Sequence, residues 1–148
     1  PMSVIRGDFE SVEIGARSNV QDGCILHVRG HFPNRQEGNA LRIGEEVSLG
    51  HACCLHACTV EARSMIGIRA VVLDLATIRE GALIAAGAVV PPGMDCGPGV
   101  WVGNPLRRLR DVKEAERDML RWTVEHYVSL KEEWRAHLAP PSPSTPQA

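Results

Sequence analysis

A bulky aliphatic residue recurs every six positions through the middle of this chain. Val60, Ile66, Val72, Ile78, Ile84 and Val90 stand at that spacing without a miss. Four residues after the first five of these come Ser64, Ala70, Ala76, Ala82 and Ala88, all small. The same register runs upstream through Ile43, Leu49 and Leu55, with Val47 and Cys53 in the small slot. It appears again as Ile14, Val20 and Leu26, with Ser18 and Cys24. On an α-helix, six steps of about 100° would leave successive anchors about 240° apart, winding around the cylinder. On a strand, six is a multiple of two, so every anchor points inward. The spacing therefore predicts an all-β solenoid: three hexapeptides form one triangular coil, and parallel coils stack to bury a continuous core.

The interruptions are as informative as the repeat. From Leu55 to Val60 is five residues rather than six. Residues 29–40 (RGHFPNRQEGNA) are polar with Gly and Pro and read as a loop expelled from the solenoid, on a face that in repeat proteins often binds ligands. Gly103-Asn104-Pro105 ends the repeat with turn chemistry, giving a solenoid over residues 1–109. Ala115, Met119, Trp122, His126, Leu130, Trp134 and Leu138 then follow steps of three and four. They predict a C-terminal α-helix within residues 110–138, packed by that face on the solenoid flank or on a neighbouring subunit. Asp111 and Glu114 read as its capping box. Residues 139–148 hold four prolines and read as a disordered tail. Because Pro1 is not an initiator and the repeat is under way by Val4-Ile5, the chain reads as truncated or as lacking an opening coil.

At 148 residues the length fits one domain, and 44% hydrophobic with 23% charged residues is ordinary for a folded chain. A net charge of -2 argues against a nucleic-acid-binding surface. No apolar run approaches bilayer length and no signal-type segment opens the sequence, so a cytoplasmic protein without membrane association is expected. Five cysteines, an odd number, predict reduced thiols rather than a disulfide framework. Cys24 and Cys53 are explained by packing in the small interior slot. Cys54 and Cys58 lie near histidines, but no CxxC pairing accompanies them.

His27 follows Leu26 just as His56 follows Leu55, so stacked coils would bring these two imidazoles together on one outer edge. Two converging imidazoles are the start of a metal site, and a catalytic zinc site usually takes three protein ligands. His51 cannot obviously join them from its own coil, but it could from an adjacent chain. Three surface histidines with no common role is the bland reading.

Arg6-Gly7-Asp8, Asn19-Val20-Gln21-Asp22-Gly23 with His27, and Gly50-His51 with Leu55-His56-Ala57-Cys58 resemble the gamma-class carbonic anhydrase family. The resemblance covers about residues 4–138 and is nearest to its bacterial branch with a long C-terminal helix. Gly103-Asn104-Pro105-Leu106-Arg107 is also similar to hexapeptide acyltransferases. The resemblance implies a left-handed parallel β-helix of hexapeptide repeats, assembled as a homotrimer. It implies metal sites between subunits, with His27 and His56 from one chain and His51 from the next, holding zinc or alternatively Fe(II) or cobalt. It further implies a salt bridge of Arg6 with Asp22 across the interface and a Gln21 hydrogen bond to metal-bound solvent. Asn19 lies in the same motif, and Tyr127 matches a helix tyrosine near the site. The implied activity is reversible hydration of carbon dioxide to bicarbonate by metal-activated water.

The sequence departs from the family pattern at two positions that handle protons. The family carries glutamate three residues after the arginine matched by Arg6, and again three residues after its first ligand; here those positions are Phe9 and Gly30. His31 and Glu37, in the expelled loop, are the candidate replacements in a proton relay. Two further readings therefore stand beside the hydratase: a trimeric metal-binding scaffold without turnover, and a hexapeptide-repeat acyltransferase.

Overall fold

A computed structural model of the chain describes residues 2–31 and 38–138; Glu37 and the tail 139–148 lie outside them. Five triangular coils stack into a parallel β-solenoid, as the repeat predicts. The first coil consists of β1 (Val4–Arg6), β2 (Val12–Ile14) and β3 (Asn19–Val20), and the second of β4 (Ile25–His27), β5 (Leu41–Ile43) and β6 (Ser48–Leu49). The third holds β7 (Cys54–His56), β8 (Thr59–Val60) and β9 (Met65–Ile66), the fourth β10 (Val71–Val72), β11 (Thr77–Ile78) and β12 (Leu83–Ile84). The fifth holds β13 (Val89–Val90), β14 (Asp95–Cys96) and β15 (Val100–Val102). Strands stack into three sheets: A from β1, β4, β7, β10 and β13, B from β2, β5, β8, β11 and β14, and C from β3, β6, β9, β12 and β15.

The period-six anchors form the interior columns. Leu26, Leu55, Val72 and Val90 line sheet A from inside, Ile43, Val60 and Ile78 line sheet B, and Leu49, Ile66 and Ile84 line sheet C, nearly all fully buried. The five-residue step is absorbed at the corner between β7 and β8, where Ala57 takes a left-handed backbone (φ 48°). Most corners use that conformation, at Arg17, Glu46 and Arg63 between sheets B and C and at Ala52 and Arg69 between sheets C and A. A sharp turn every six residues requires it. The coils approach too closely for side chains elsewhere: a Cβ at Gly67 would stand 2.5 Å from the Ala86 nitrogen.

Trp101 closes the last coil, donating its indole N–H to the Gly97 carbonyl at 2.8 Å. A strand that the periodicity does not announce, β16 (Arg107–Arg110), returns antiparallel to β15. At the other end, the inward-pointing Ile5 and Ile14 of the first coil remain 53% and 40% exposed.

The C-terminal helix α1 spans Glu114–Leu138 and lies against sheet C near β6. Two expectations about it are corrected. Its cap is not Asp111 with Glu114: Asp111 pairs with Arg108, while Glu116 accepts the Lys113 backbone N–H at 2.9 Å and a two-pronged contact from Arg110 at 2.7 Å. That is the acidic half of a capping box, two residues later. Nor is the packed face the expected one. Val124 is buried and Leu120, Tyr127 and Val128 are partly covered, whereas Met119, Trp122, Trp134 and Leu138 are 45–78% exposed. Helices whose apolar residues spread over more than one stripe do not reveal from sequence which stripe packs. Among the described residues no helix is long and apolar enough to cross a membrane.

Candidate metal centre

The outer faces of the three sheets differ in kind. Glu13, Arg42, Thr59, Thr77 and Asp95 stack in register on the outside of sheet B, a solvated polar column. On sheet C, Asn19, Ser48, Met65, Leu83 and Val100 stack on the side that α1 approaches. On sheet A the corresponding column is Val4, Ile25, Cys54, Val71 and Val89, apolar throughout, with Val4 and Ile25 about half exposed. Nothing in the described chain covers it.

His27 and His56 stand at the edge of this apolar face, at the corner between sheets A and B. They are direct register partners on β4 and β7, with ring centroids 5.1 Å apart and planes inclined at 58°. Arg6 is the next partner in the same column. A recess of about 220 Å³ beside them is lined by Val4, Arg6, Ile25, Cys54 and both imidazoles. The stacking inferred from sequence thus holds at the level of individual rings.

His51 lies at the opposite edge of sheet A, on the exposed turn between β6 and β7. Asp22 and Gln21 follow β3 on that same edge, and the Asp22 carboxylate is 3.3 Å from His51 Nδ1. The Gln21 amide donates to Asn19 Oδ1 at 3.3 Å, and Asn19 donates to the Ser48 hydroxyl at 2.8 Å. Tyr127 is half-buried on α1. The residues singled out from sequence therefore form two groups within one chain: Arg6, His27 and His56 on one edge, and Asn19, Gln21, Asp22 and His51 on the other. Among the described residues of a single chain, no three His, Cys, Asp or Glu side chains gather to hold a metal ion. Arg6 and Asp22 are likewise divided between the edges, and Arg6 pairs with Asp8 at 2.6 Å.

Carboxylates decide which ring nitrogen each histidine offers, because an ionised carboxylate can only accept a hydrogen bond. His56 donates Nδ1–H to Asp74 Oδ1 at 2.5 Å, leaving Nε2 as its lone-pair nitrogen. His51, with Nδ1 toward Asp22, is arranged in the same sense. His27 is reversed: its Nε2 donates to Asp8 Oδ1 at 2.9 Å. Desolvation alone would raise the Asp8 carboxyl, but the hydrogen bond from His27 and the Arg6 guanidinium outweigh it and hold the group below the usual carboxylate range. The donor set fits a borderline divalent cation, provided His27 turns from Asp8 or binds through Nδ1.

Asp8 and Asp74 escaped the sequence reading as partners of the histidines. The signal for Asp74 was present, a lone acid in the apolar run Val71-Val72-Leu73-Asp74-Leu75, but its partner lies a whole coil away. The two positions where this chain departs from the family pattern also have a definite geometry. Phe9 packs its ring on Gly30, where a Cβ would stand 2.9 Å from the ring. Beside it, His31 Nε2 lies 3.1 Å from Glu10 Oε1, and His31 Nδ1 accepts the Gly38 N–H at 3.1 Å.

The cysteines fall where the repeat places them. Cys24 and Cys53 are fully buried on adjacent coils, the Cys53 thiol donating to the Cys24 sulfur at 3.4 Å, which holds Cys24 low and Cys53 high. Burial, reinforced by the Asp74 charge, pushes Cys58 up to about 12. Only Cys54 is partly open, beside the two histidines.

No protein-family model matches the chain. It is 38% identical over 135 residues to protein YrdA of Escherichia coli, a match covering 90% of this chain and 73% of that protein. It is 34% identical over 139 residues to the mitochondrial gamma carbonic anhydrase 1 of Arabidopsis thaliana, covering 93% of this chain and 50% of the plant protein. Among solved structures it superposes on a putative acetyltransferase of Bacillus cereus with a TM-score of 0.82 at 32% identity, covering 90% of this chain and 74% of that one. A hexapeptide transferase family protein of Anaplasma phagocytophilum gives 0.77 at 32% identity, covering 89% and 74%.

Proposed function

The chain belongs to the gamma-carbonic-anhydrase-like hexapeptide-repeat family, and on that premise we propose that it is a metal-dependent carbonic anhydrase, hydrating carbon dioxide reversibly at sites shared between subunits of a homotrimer. One observation carries the reading. The stacked His27/His56 pair and the His51 turn occupy opposite edges of an apolar sheet face that nothing among the described residues covers. Cyclic packing through sheet A sets one edge of each subunit against the other edge of its neighbour. The divided groups then meet: His27 and His56 of one chain with His51 of the next, and Arg6 with a neighbouring Asp22.

In such a site the three imidazoles would hold zinc, with ferrous iron and cobalt as alternatives. When bound, such a metal would supply Lewis acidity, lowering the pKa of water towards neutrality. The rest is the work of the chain. Val4 and Ile25 line the recess with apolar surface suited to carbon dioxide. Gln21, steadied by Asn19 and through it by Ser48, presents an amide that orients the attacking oxygen or the departing bicarbonate. Tyr127 comes from α1 of the same chain as His51. With Phe9 and Gly30 in place of two acids, proton export falls to the His31–Glu10 pair at the loop neck, and Glu37 is a further candidate on that loop. Free thiols suit a reducing compartment, and we place the protein in the cytoplasm.

The test is zinc stoichiometry and stopped-flow carbon dioxide hydration on wild type and His51→Ala. Bound zinc and turnover, both lost in His51→Ala, would establish the shared site. Full zinc occupancy without turnover would identify a metal-binding scaffold instead. Zinc retained in His51→Ala would overturn the shared site. An acyltransferase reading, raised by the names of the two solved structures, leaves the stacked imidazoles without a role.

A further inference from the structure

Resting on the metal-site reading, we infer that Asp74 is a positioning residue: it fixes the tautomer and ring orientation of His56 so that Nε2 faces the metal, and Arg29 holds Asp74 in place. Asp74 lies one coil above His56, on the turn that follows β10. Its Oδ1 accepts the His56 Nδ1 proton at 2.5 Å, a short contact between half-buried groups (32% and 26% exposed side chains). Its second oxygen faces the Arg29 guanidinium at 3.7 Å. The same corner is braced by the backbone: the carbonyl of Ala57, next to His56, accepts the Leu75 N–H at 2.8 Å and the Asn39 side-chain amide at 2.5 Å.

Arg29 and Asn39 are the two sides of the loop neck, bonded to each other through both backbone pairs at 3.0 and 3.1 Å. One reaches Asp74 and the other reaches Ala57, so the neck grips His56 from two directions. Arg29 Nε is buried without a hydrogen-bond partner among the described residues. An arginine so placed gives up solvation to reach Asp74, which marks the contact as more than a surface pairing. His27 has no equivalent: its carboxylate partner, Asp8, takes Nε2 rather than Nδ1. Of the stacked pair, only His56 has a carboxylate behind it.

A carboxylate behind a metal-binding histidine raises the basicity of the ring and holds its angle, and its loss typically lowers affinity 10- to 100-fold. The experiment compares wild type, Asp74→Ala and Asp74→Asn by two measurements. The first is zinc affinity by chelator competition; the second is the His56 tautomer, from 15N shifts of the metal-free protein at about pH 8, where imidazole is neutral. The expected result is a loss of about 10- to 100-fold in zinc affinity for Asp74→Ala and a smaller loss for Asp74→Asn. The His56 proton would sit on Nδ1 in wild type and redistribute in Asp74→Ala, with the solenoid circular dichroism unchanged. An unaltered tautomer in Asp74→Ala would overturn the role of Asp74, as would wild-type zinc affinity. If wild type itself takes up no zinc, the metal reading fails on its own, and the tautomer still decides whether Asp74 sets the ring.

Discussion

The ring of Phe9 lies on Gly30, occupying the space that any side chain at position 30 would need. The two departures from the family's proton-handling acids are therefore one structural event, an aromatic ring and the vacancy that accommodates it. Neither acid alone recreates the family arrangement: Gly30→Glu must displace the Phe9 ring, and Phe9→Glu leaves position 30 without a side chain. The double variant Phe9→Glu/Gly30→Glu should raise turnover at low buffer concentration by about 100-fold, the lower end of the range assigned to general acid–base catalysis. Stopped-flow rates against buffer concentration check this. A rate unchanged at every buffer level would show that proton export does not limit this protein.

Mixing inactive variants tests where the site lies. His27→Ala keeps an intact His51, and His51→Ala keeps an intact His27 and His56. Co-refolded in equal amounts, random trimers would regain about a quarter of the sites, because only one order of neighbours completes the ligand set. Zinc content and hydration rate of the mixture against the separate variants give the answer. No recovery would place His51 outside the site.

The neck pair His31–Glu10 carries a kinetic prediction. His31→Ala should leave zinc stoichiometry unchanged and lower turnover at low buffer by about 100-fold, with rescue by added imidazole. Rates equal to wild type at low buffer would remove the pair from the proton path.

Helix anchoring should show in acid stability. The Glu116 carboxyl is drawn down to about 2, first by its hydrogen bonds from Arg110 and then by the Lys113 N–H. A folded-state pKa below the unfolded value means that the unfolded chain binds the extra proton, so stability from this contact is complete above about pH 4.5 and is lost as pH falls towards 2. Thermal melts between about pH 6 and pH 2.5 should show Glu116→Gln less stable than wild type near neutrality, the gap closing at the acid end. A constant gap would assign the effect to packing.

Close stacking of coils predicts a contrast between two glycines. Gly67→Ala would thrust a Cβ into backbone atoms of the next coil at 2.5 to 2.8 Å, which cannot move, and should cost about 1–3 kcal/mol. Gly30→Ala meets only the exposed ring of Phe9, which can swing aside, and should cost less than about 1 kcal/mol. Denaturant midpoints of the two variants provide the comparison.

The solenoid was legible in the sequence because its core is set by local arithmetic. Each coil repeats the same inward slot, so Leu55, Val72 and Val90 could be assigned to one column from their spacing alone. The His27–His56 pair came from the same arithmetic, since both follow a core leucine. Contacts between unlike parts of the repeat were not legible. Asp74 reaches His56 across a coil, Arg29 reaches Asp74 from the loop neck, and Phe9 finds Gly30, all without any periodic signal. The helix face failed for a related reason: α1 carries apolar residues on two stripes, and only docking on sheet C selected Leu120 and Val124 over Trp122 and Trp134. The sequence by itself determined which residues point inward, through the two-residue alternation of a strand and the six-residue length of each side. Tertiary structure alone decided which outer face stays apolar and uncovered, and which carboxylate pairs with each histidine. Those relations join residues 18 to 29 positions apart, across coils and sheet corners, where no local periodicity reaches.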